Sequence, residues 1–209
     1  KNTSNKNLDS NFLNKVKNRN IWCGASTHEP EELLCAMSHI EVKKSYSNIL
    51  TVIIPRHIER IEKIKKKLSS LNLKIDLYSK WDQVDSSTDI ILVDVYGETS
   101  KFYNISKSAF IGKSTIQSLI KTSGQNPIEA ARIGCKIFHG PNVSNFSEIY
   151  EYLKTQDITK EIKNVDELSR ALIGEFEKDE AKNNNIKEKI DDYGQNILNN
   201  VFEELKKYI

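Results

Sequence analysis

Seven short runs rich in β-branched and apolar residues recur along this chain: "IWCGAS" (21–26), "ILTVIIP" (49–55), "LKIDLY" (73–78), "DIILVDV" (89–95), "SAFIG" (108–112), "CKIFHG" (135–140) and "DITKEI" (157–162). Each reads as a buried strand of a parallel sheet. Amphipathic stretches separate them: within 29–46, Leu33, Met37 and Ile40 share a helical face, as do Ile58, Ile61, Ile64 and Leu68 in the next stretch. Strands alternating with helices predict an α/β fold, a Rossmann-like doubly wound parallel sheet. In such a fold ligands sit beyond the carboxyl ends of the strands, on the turns that lead into helices.

Bulk properties narrow the partners. With 31 basic against 29 acidic residues and a net charge of +2, no strong commitment to nucleic acid or membrane shows. Three cysteines, Cys23, Cys35 and Cys135, lack CxxC spacing, which argues against a disulfide framework and a structural zinc site and for a reducing cytosol. No apolar run approaches the roughly 18 residues needed to span a bilayer, and the start "KNTSNKNLDSN" has no signal-peptide centre. The chain is therefore expected to be soluble by itself. Its start reads as a linker, which leaves open a fragment of something larger. The tail is helical, with Ile190, Tyr193, Ile197, Val201 and Leu205 on one stripe of a closing helix, and "EKDEAKNNN" as a solvated loop before it. The basic run "KIKKKL" reads as the wet face of a helix.

Four strand-to-helix turns carry polar groups that a plain connector does not need. In "GASTHEPEE", Ser26 or Thr27 can cap a helix whose first turn takes Pro30, Glu31 and Glu32, and His28 is left over for either a ligand or a local hydrogen bond. In "IIPRHIER", Arg56 follows Pro55 directly after a strand and offers a planar fork to phosphate or carboxylate; the alternative is a surface pair with Glu59. In "VDVYGETSKFY", Asp94 ends a strand, Gly97 permits close approach, and Glu98 enters a helix. In "TSGQNPIEAARIGCKIFHGPN", Gly124 and Asn126 supply a turn, Pro127 suits the first helical turn, and Glu129 can cap free N–H groups or reach a ligand hydroxyl. "GKST" (112–115) is no P-loop, because position 107 is Lys where Gly is required, and no GxGxxG follows any strand.

In order and spacing, "ASTHEPEE", "PRHIER", "VDVYGETSKFY" and "GQNPIEAARIGCKIFHGPNVSNF" resemble the carboxyl-terminal half of the 3-deoxy-D-manno-octulosonic acid (Kdo) transferases, from about Trp22 to Phe146. That family transfers Kdo from CMP-Kdo to the lipid A precursor in lipopolysaccharide assembly. The resemblance implies the C-terminal domain of a GT-B glycosyltransferase, with CMP contacts at Pro55 and Arg56, at Tyr96, Gly97 and Glu98, and at Asn126, Pro127, Ile128 and Glu129. Ser26, Thr27, His28, Ser114 and Gln125 are further donor contacts on this reading. It implies no metal and no cofactor beyond the substrate CMP-Kdo. Two departures stand out: "GKS" (112–114) replaces a Gly-Gly-Ser, and "SGQN" (123–126) replaces a Gly-Gly-His-Asn, so Lys113 takes the place of a small residue and Gln125 that of an imidazole.

The resemblance further implies 1–19 as interdomain linker and first helix, 20–185 as the CMP-Kdo-binding domain and 186–209 as a closing helix. The family's amino-terminal domain carries the membrane anchor, the lipid A precursor site and the acidic general base. The expectation is therefore a donor domain inactive alone, from a protein at the cytoplasmic face of the bacterial inner membrane, with membrane contact mainly through the other half and no nucleic-acid partner. The alternatives are a nucleotide-sugar binding module without transferase activity and a nucleotide-sugar epimerase of related fold.

Overall fold

A computed structural model describes residues 7–178 and 184–206. The strands are β1 (Asn20–Thr27), β2 (Ile49–Pro55), β3 (Ile75–Leu77), β4 (Ile90–Leu92), β5 (Ser108–Ile111), β6 (Lys136–His139) and β7 (Thr159–Glu161). The α-helices are α1 (Ser10–Val16), α2 (Glu31–Lys43), α3 (Ile61–Ser69), α4 (Thr99–Ile105), α5 (Ile128–Arg132), α6 (Ser147–Thr155), α7 (Val165–Glu177) and α8 (Asn184–Lys206). All seven expected strands form, several of them shorter than their apolar runs. They build one parallel sheet in the order β3-β4-β2-β1-β5-β6-β7.

This order places the topological switch point between β1 and β5: from β1 the chain winds to one side through β2, β3 and β4, then crosses to β5 and winds the other way. The sheet is apolar on both faces because helices cover both. On one side Trp22, Ile49, Ile53, Ile90, Leu92 and Phe110 pack beneath α2, α3 and α7. On the other, Val52, Ile91, Ala109 and Ile137 meet α1, α4, α5 and α6. The basic run of α3 is its wet face, where Lys63 and Lys67 hold the exposed Glu29 at 2.8 and 3.3 Å. The three cysteines are buried and no disulfide joins them.

Three local expectations need correction. Helix α2 starts at Glu31, and Pro30 stands just before it as the N-cap without a side-chain cap, so neither Ser26 nor Thr27 caps it. Strand β4 stops at Leu92, two residues short of Asp94, which instead accepts from the backbone N–H of Ser79 at 2.8 Å. On α8, Ile186 and Ile190 are buried, Tyr193 stacks on Tyr152 at 3.9 Å, and Leu205 is 52% exposed. The stripe therefore does not continue to the end of the helix; the side chains of Ile197 and Val201 lie outside the described residues.

Helix α1 is an integral part of the packing. Phe12 is fully buried, with edge-on contacts to Tyr78, Phe102 and Trp81 at 5.6, 6.2 and 6.3 Å. Asp9 caps the helix by accepting from the Asn11 N–H at 2.7 Å. We expect Phe12→Ala to lower the unfolding free energy by about 3–5 kcal/mol, the usual cost of removing a buried aromatic side chain, measurable by urea denaturation; a loss under about 1 kcal/mol would show that α1 is not part of the cooperative unit.

Candidate functional site

The turns after β1 and β5 flank the switch point, and one side chain ties them together. Glu31, at the first position of α2, is fully buried. Its Oε1 accepts from the Ser114 N–H at 2.9 Å, the Thr115 N–H at 3.0 Å and the Thr115 hydroxyl at 2.9 Å. Its Oε2 accepts from the Lys113 N–H at 2.7 Å and the His28 N–H at 3.0 Å. Successive backbone N–H groups turned toward one point form an anion-binding concavity. Here the chain fills that concavity with its own carboxylate.

The neighbouring Glu32 is 3% exposed and accepts from both terminal nitrogens of Arg60, at 3.0 and 3.3 Å, and from the Thr27 hydroxyl at 3.4 Å. Burying a carboxylate is costly without such partners, and the forked guanidinium supplies them. Thr27 is itself fully buried.

The turns continue as a linked series. A Cβ at Gly112 would stand 2.5 Å from the Ser26 carbonyl oxygen, so the β5 turn approaches the β1 turn as only glycine allows. Ser114, also fully buried, donates its hydroxyl to the Ile111 carbonyl at 2.6 Å and accepts from the Gly140 N–H at 2.9 Å. The Asn142 N–H donates to the Ser114 carbonyl at 2.8 Å. The Gly124 N–H donates to the Lys113 carbonyl at 2.7 Å, and the Tyr150 hydroxyl donates to the Gln125 carbonyl at 3.0 Å. Thus the turns after β1, β5 and β6 and the turn before α5 make one rim. A cleft of about 310 Å³ opens beside it, lined by His139, Val143, Tyr150, Lys154 and Glu161.

The other residues singled out from the sequence divide into those tied to the protein and those presented outward. Arg56 is exposed, donates its backbone N–H to the Thr27 carbonyl at 3.0 Å, and has no side-chain partner among the described residues. The alternative offered for it, a surface pair with Glu59, is made instead by His57, at 3.4 Å. Pro55 is buried. Tyr96 is 67% exposed, and Gly97 has the left-handed φ of 82° that favours glycine. Glu98 pairs with Lys101 at 2.8 Å and accepts from the Tyr78 hydroxyl at 3.4 Å. Asn126 accepts from the Ile128 N–H at 2.9 Å, so it and not Glu129 serves the start of α5. Pro127 is buried and Ile128 half-buried, while the exposed Glu129 accepts from the Ser100 hydroxyl, joining α4 to α5. The hydroxyls of Thr27 and Ser114 are engaged inside the fold.

His28 makes the local hydrogen bond: Nδ1 lies 3.1 Å from the Ser26 carbonyl. A carbonyl only accepts, so Nδ1 carries the proton and Nε2 presents a lone pair. Its ring meets that of His57 edge-on at 5.4 Å. Burial pushes the His28 pKa below its ordinary value, and nearby His57 and Lys113 push the same way against the Ser26 carbonyl and Glu31. In the sequence Glu31 reads as an ordinary helix-start acid; its partners in the β5 turn lie more than 80 residues away in the chain, and no spacing rule connects them. Among the described residues no group of three or more His, Cys, Asp or Glu converges as for a metal ion, and no helix is long and apolar enough to cross a membrane.

Replacing Glu31 by Gln leaves the shape but turns an N–H₂ toward donors. We expect a loss of at least about 2 kcal/mol of stability, the scale of a buried polar group left without its partners, checked by urea denaturation; a variant as stable as the parent would remove Glu31 from its central place.

No family model matches the chain. It is 32% identical over 157 residues to the 3-deoxy-D-manno-octulosonic acid transferase of Haemophilus influenzae, covering 75% of this chain and 36% of that protein. It is 30% identical over 163 residues to the enzyme of the same name from Rickettsia felis, covering 78% and 34%. The chain thus spans about a third of the length of these curated relatives. Among solved structures, the C-terminal CMP-Kdo binding domain of WaaA from Acinetobacter baumannii superposes with a TM-score of 0.75 at 22% identity, over 85% of this chain and 90% of that one. A putative UDP-N-acetylglucosamine 2-epimerase from Listeria monocytogenes shares the fold more distantly, with a TM-score of 0.53 at 13% identity, over 88% of this chain and 42% of that one. Over the segment it spans, this chain is related in sequence to the 3-deoxy-D-manno-octulosonic acid transferases, and it has the Rossmann-like fold of a C-terminal CMP-Kdo binding domain.

Proposed function

We propose that this chain is the donor-binding part of a glycosyltransferase that transfers Kdo from CMP-Kdo to the lipid A precursor, in a protein acting at the cytoplasmic face of the inner membrane. The observation that carries the reading is Arg56. It is an exposed guanidinium without a partner among the described residues, set at the carboxyl end of β2 beside the switch point, in a chain related to Kdo transferases. A planar fork of N–H donors there suits the phosphate of CMP or the carboxylate of Kdo.

On this reading Tyr96 and Gly97 present an open aromatic face and a bare backbone to the nucleotide. Asn126, Pro127 and Ile128 shape the turn beside it. Glu129 exchanges the Ser100 hydroxyl for ribose hydroxyls. Glu98, already paired with Lys101, acts through its backbone. His28 offers Nε2 as an acceptor, and Gln125 offers an uncharged amide. Thr27 and Ser114 shape the rim without reaching the ligand. The work of this domain is to hold the donor in register for attack. We assign the acceptor site, the membrane contact and the general base to the remaining length that the relatives have.

Titration of the chain with CMP, UDP and ADP tests the nucleotide class, with CMP expected to bind best; preference for UDP would favour an epimerase-like site. Arg56→Ala and Glu129→Ala are each expected to weaken CMP binding by about 1–3 kcal/mol, the range for a charge-assisted hydrogen bond. Unchanged affinity in both folded variants would refute the site.

A further inference from the structure

The switch-point turns present one more cation without a partner among the described residues. Lys113 is half-buried, yet its ammonium makes no ion pair or hydrogen bond with any described residue. Two other half-buried lysines are paired with carboxylates: Lys101 with Glu98 at 2.8 Å, and Lys136 with Asp157 at 3.0 Å. The nearest carboxylate along the hydrogen-bond network, Glu31, is occupied by backbone and hydroxyl donors and does not serve the Lys113 side chain.

The backbone of Lys113 is also unusual. Its φ of 56° is left-handed, a conformation that glycine adopts freely and a side chain resists. Glu31 holds this residue: the Lys113 N–H and the His28 N–H donate to the same carboxylate oxygen, which puts the two turns within two hydrogen bonds of each other. The Lys113 and His28 backbones meet at that oxygen, and the His28 ring meets that of His57, next to Arg56. On the other side the Lys113 carbonyl holds Gly124, beside the uncharged Gln125. Lys113 thus sets a cation on the β5 turn as Arg56 does on the β2 turn, across the ends of β1, β2 and β5.

We propose that Lys113 is a specificity-determining residue of the donor site, its ammonium binding an anionic oxygen group of the ligand. This deepens the reading of the chain as a donor-binding domain and rests on it. The group is one of two: the nucleotide phosphate or the carboxylate of an acidic sugar. Both match a strongly hydrated point charge that gains from a partner when partly withdrawn from water. Arg56 then takes one anionic group and Lys113 the other, which selects an acidic sugar carried on a nucleotide monophosphate over a neutral one.

The test uses Lys113→Gly, which removes the ammonium while relieving the left-handed backbone, so that folding is preserved, together with Lys113→Arg, which keeps the charge. Each form is titrated calorimetrically with CMP, cytidine and free Kdo. Parent binding of CMP reads the underlying function; the difference between parent and variant reads this proposal. Expected is a loss of about tenfold in Lys113→Gly for CMP or for Kdo, the size of one charge-assisted contact. Cytidine affinity should be unchanged, and the loss should be largely restored in Lys113→Arg and reduced at high salt. Loss for CMP identifies the phosphate as the partner, and loss for Kdo the carboxylate. If the parent binds CMP while Lys113→Gly binds both anions as the parent does, the proposal is overturned and the donor-site reading stands. If the parent binds neither CMP nor Kdo, both fall.

Discussion

The carboxylate of Glu31 is the contact on which the carboxyl edge of the sheet depends. A parallel sheet holds its strands in register, but nothing in its ladder organises the turns beyond their ends. Five donors from the β1 and β5 turns converge on one buried side chain, and each of them would otherwise need water or another partner. From that anchor the tie passes through Ser114 to the β6 turn and through the Lys113 carbonyl to Gly124. The glycines at 112 and 140 stand where neighbouring backbone leaves no room for a Cβ.

This has a consequence for function. A crevice at a switch point is useful to a ligand only if its polar groups are held still. The structure meets this by sorting side chains into two roles. Glu31, Glu32, Thr27 and Ser114 face inward and are fully engaged. Arg56, Tyr96 and Lys113 stand after β2, β4 and β5 at the same edge of the sheet, their polar or aromatic ends without a partner among the described residues. The anion-binding concavity of the β5 turn is closed by an internal carboxylate, so anionic ligands are left to side-chain cations near it.

The strand runs were legible because burial on both faces leaves continuous apolar stretches whose length separates them from helices. The motif turns were legible because Gly, Pro and helix-start acids cluster at strand ends. What each polar residue does there was less accessible. Thr27 and Ser114 resemble ligand contacts in sequence, yet their hydroxyls satisfy buried groups. Arg56 had a neighbouring acid within reach, and only the fold shows that His57 takes it. Helix α5 ends just before Gly134, whose left-handed φ of 91° suits a helix stop.

Sequence by itself determined the parallel α/β architecture, because hydrophobic period and turn chemistry are local properties that a single strand or helix already expresses. It also determined the relationship to Kdo transferases, carried by the order of four short motifs. Tertiary structure alone decided which polar residues are free to meet a ligand. A hydrogen bond between Glu31 and the β5 turn, or the meeting of the Lys113 and His28 backbones at that carboxylate, depends on distances between segments more than 80 residues apart. No local pattern encodes such distances; they exist only once the sheet has set β1 against β5.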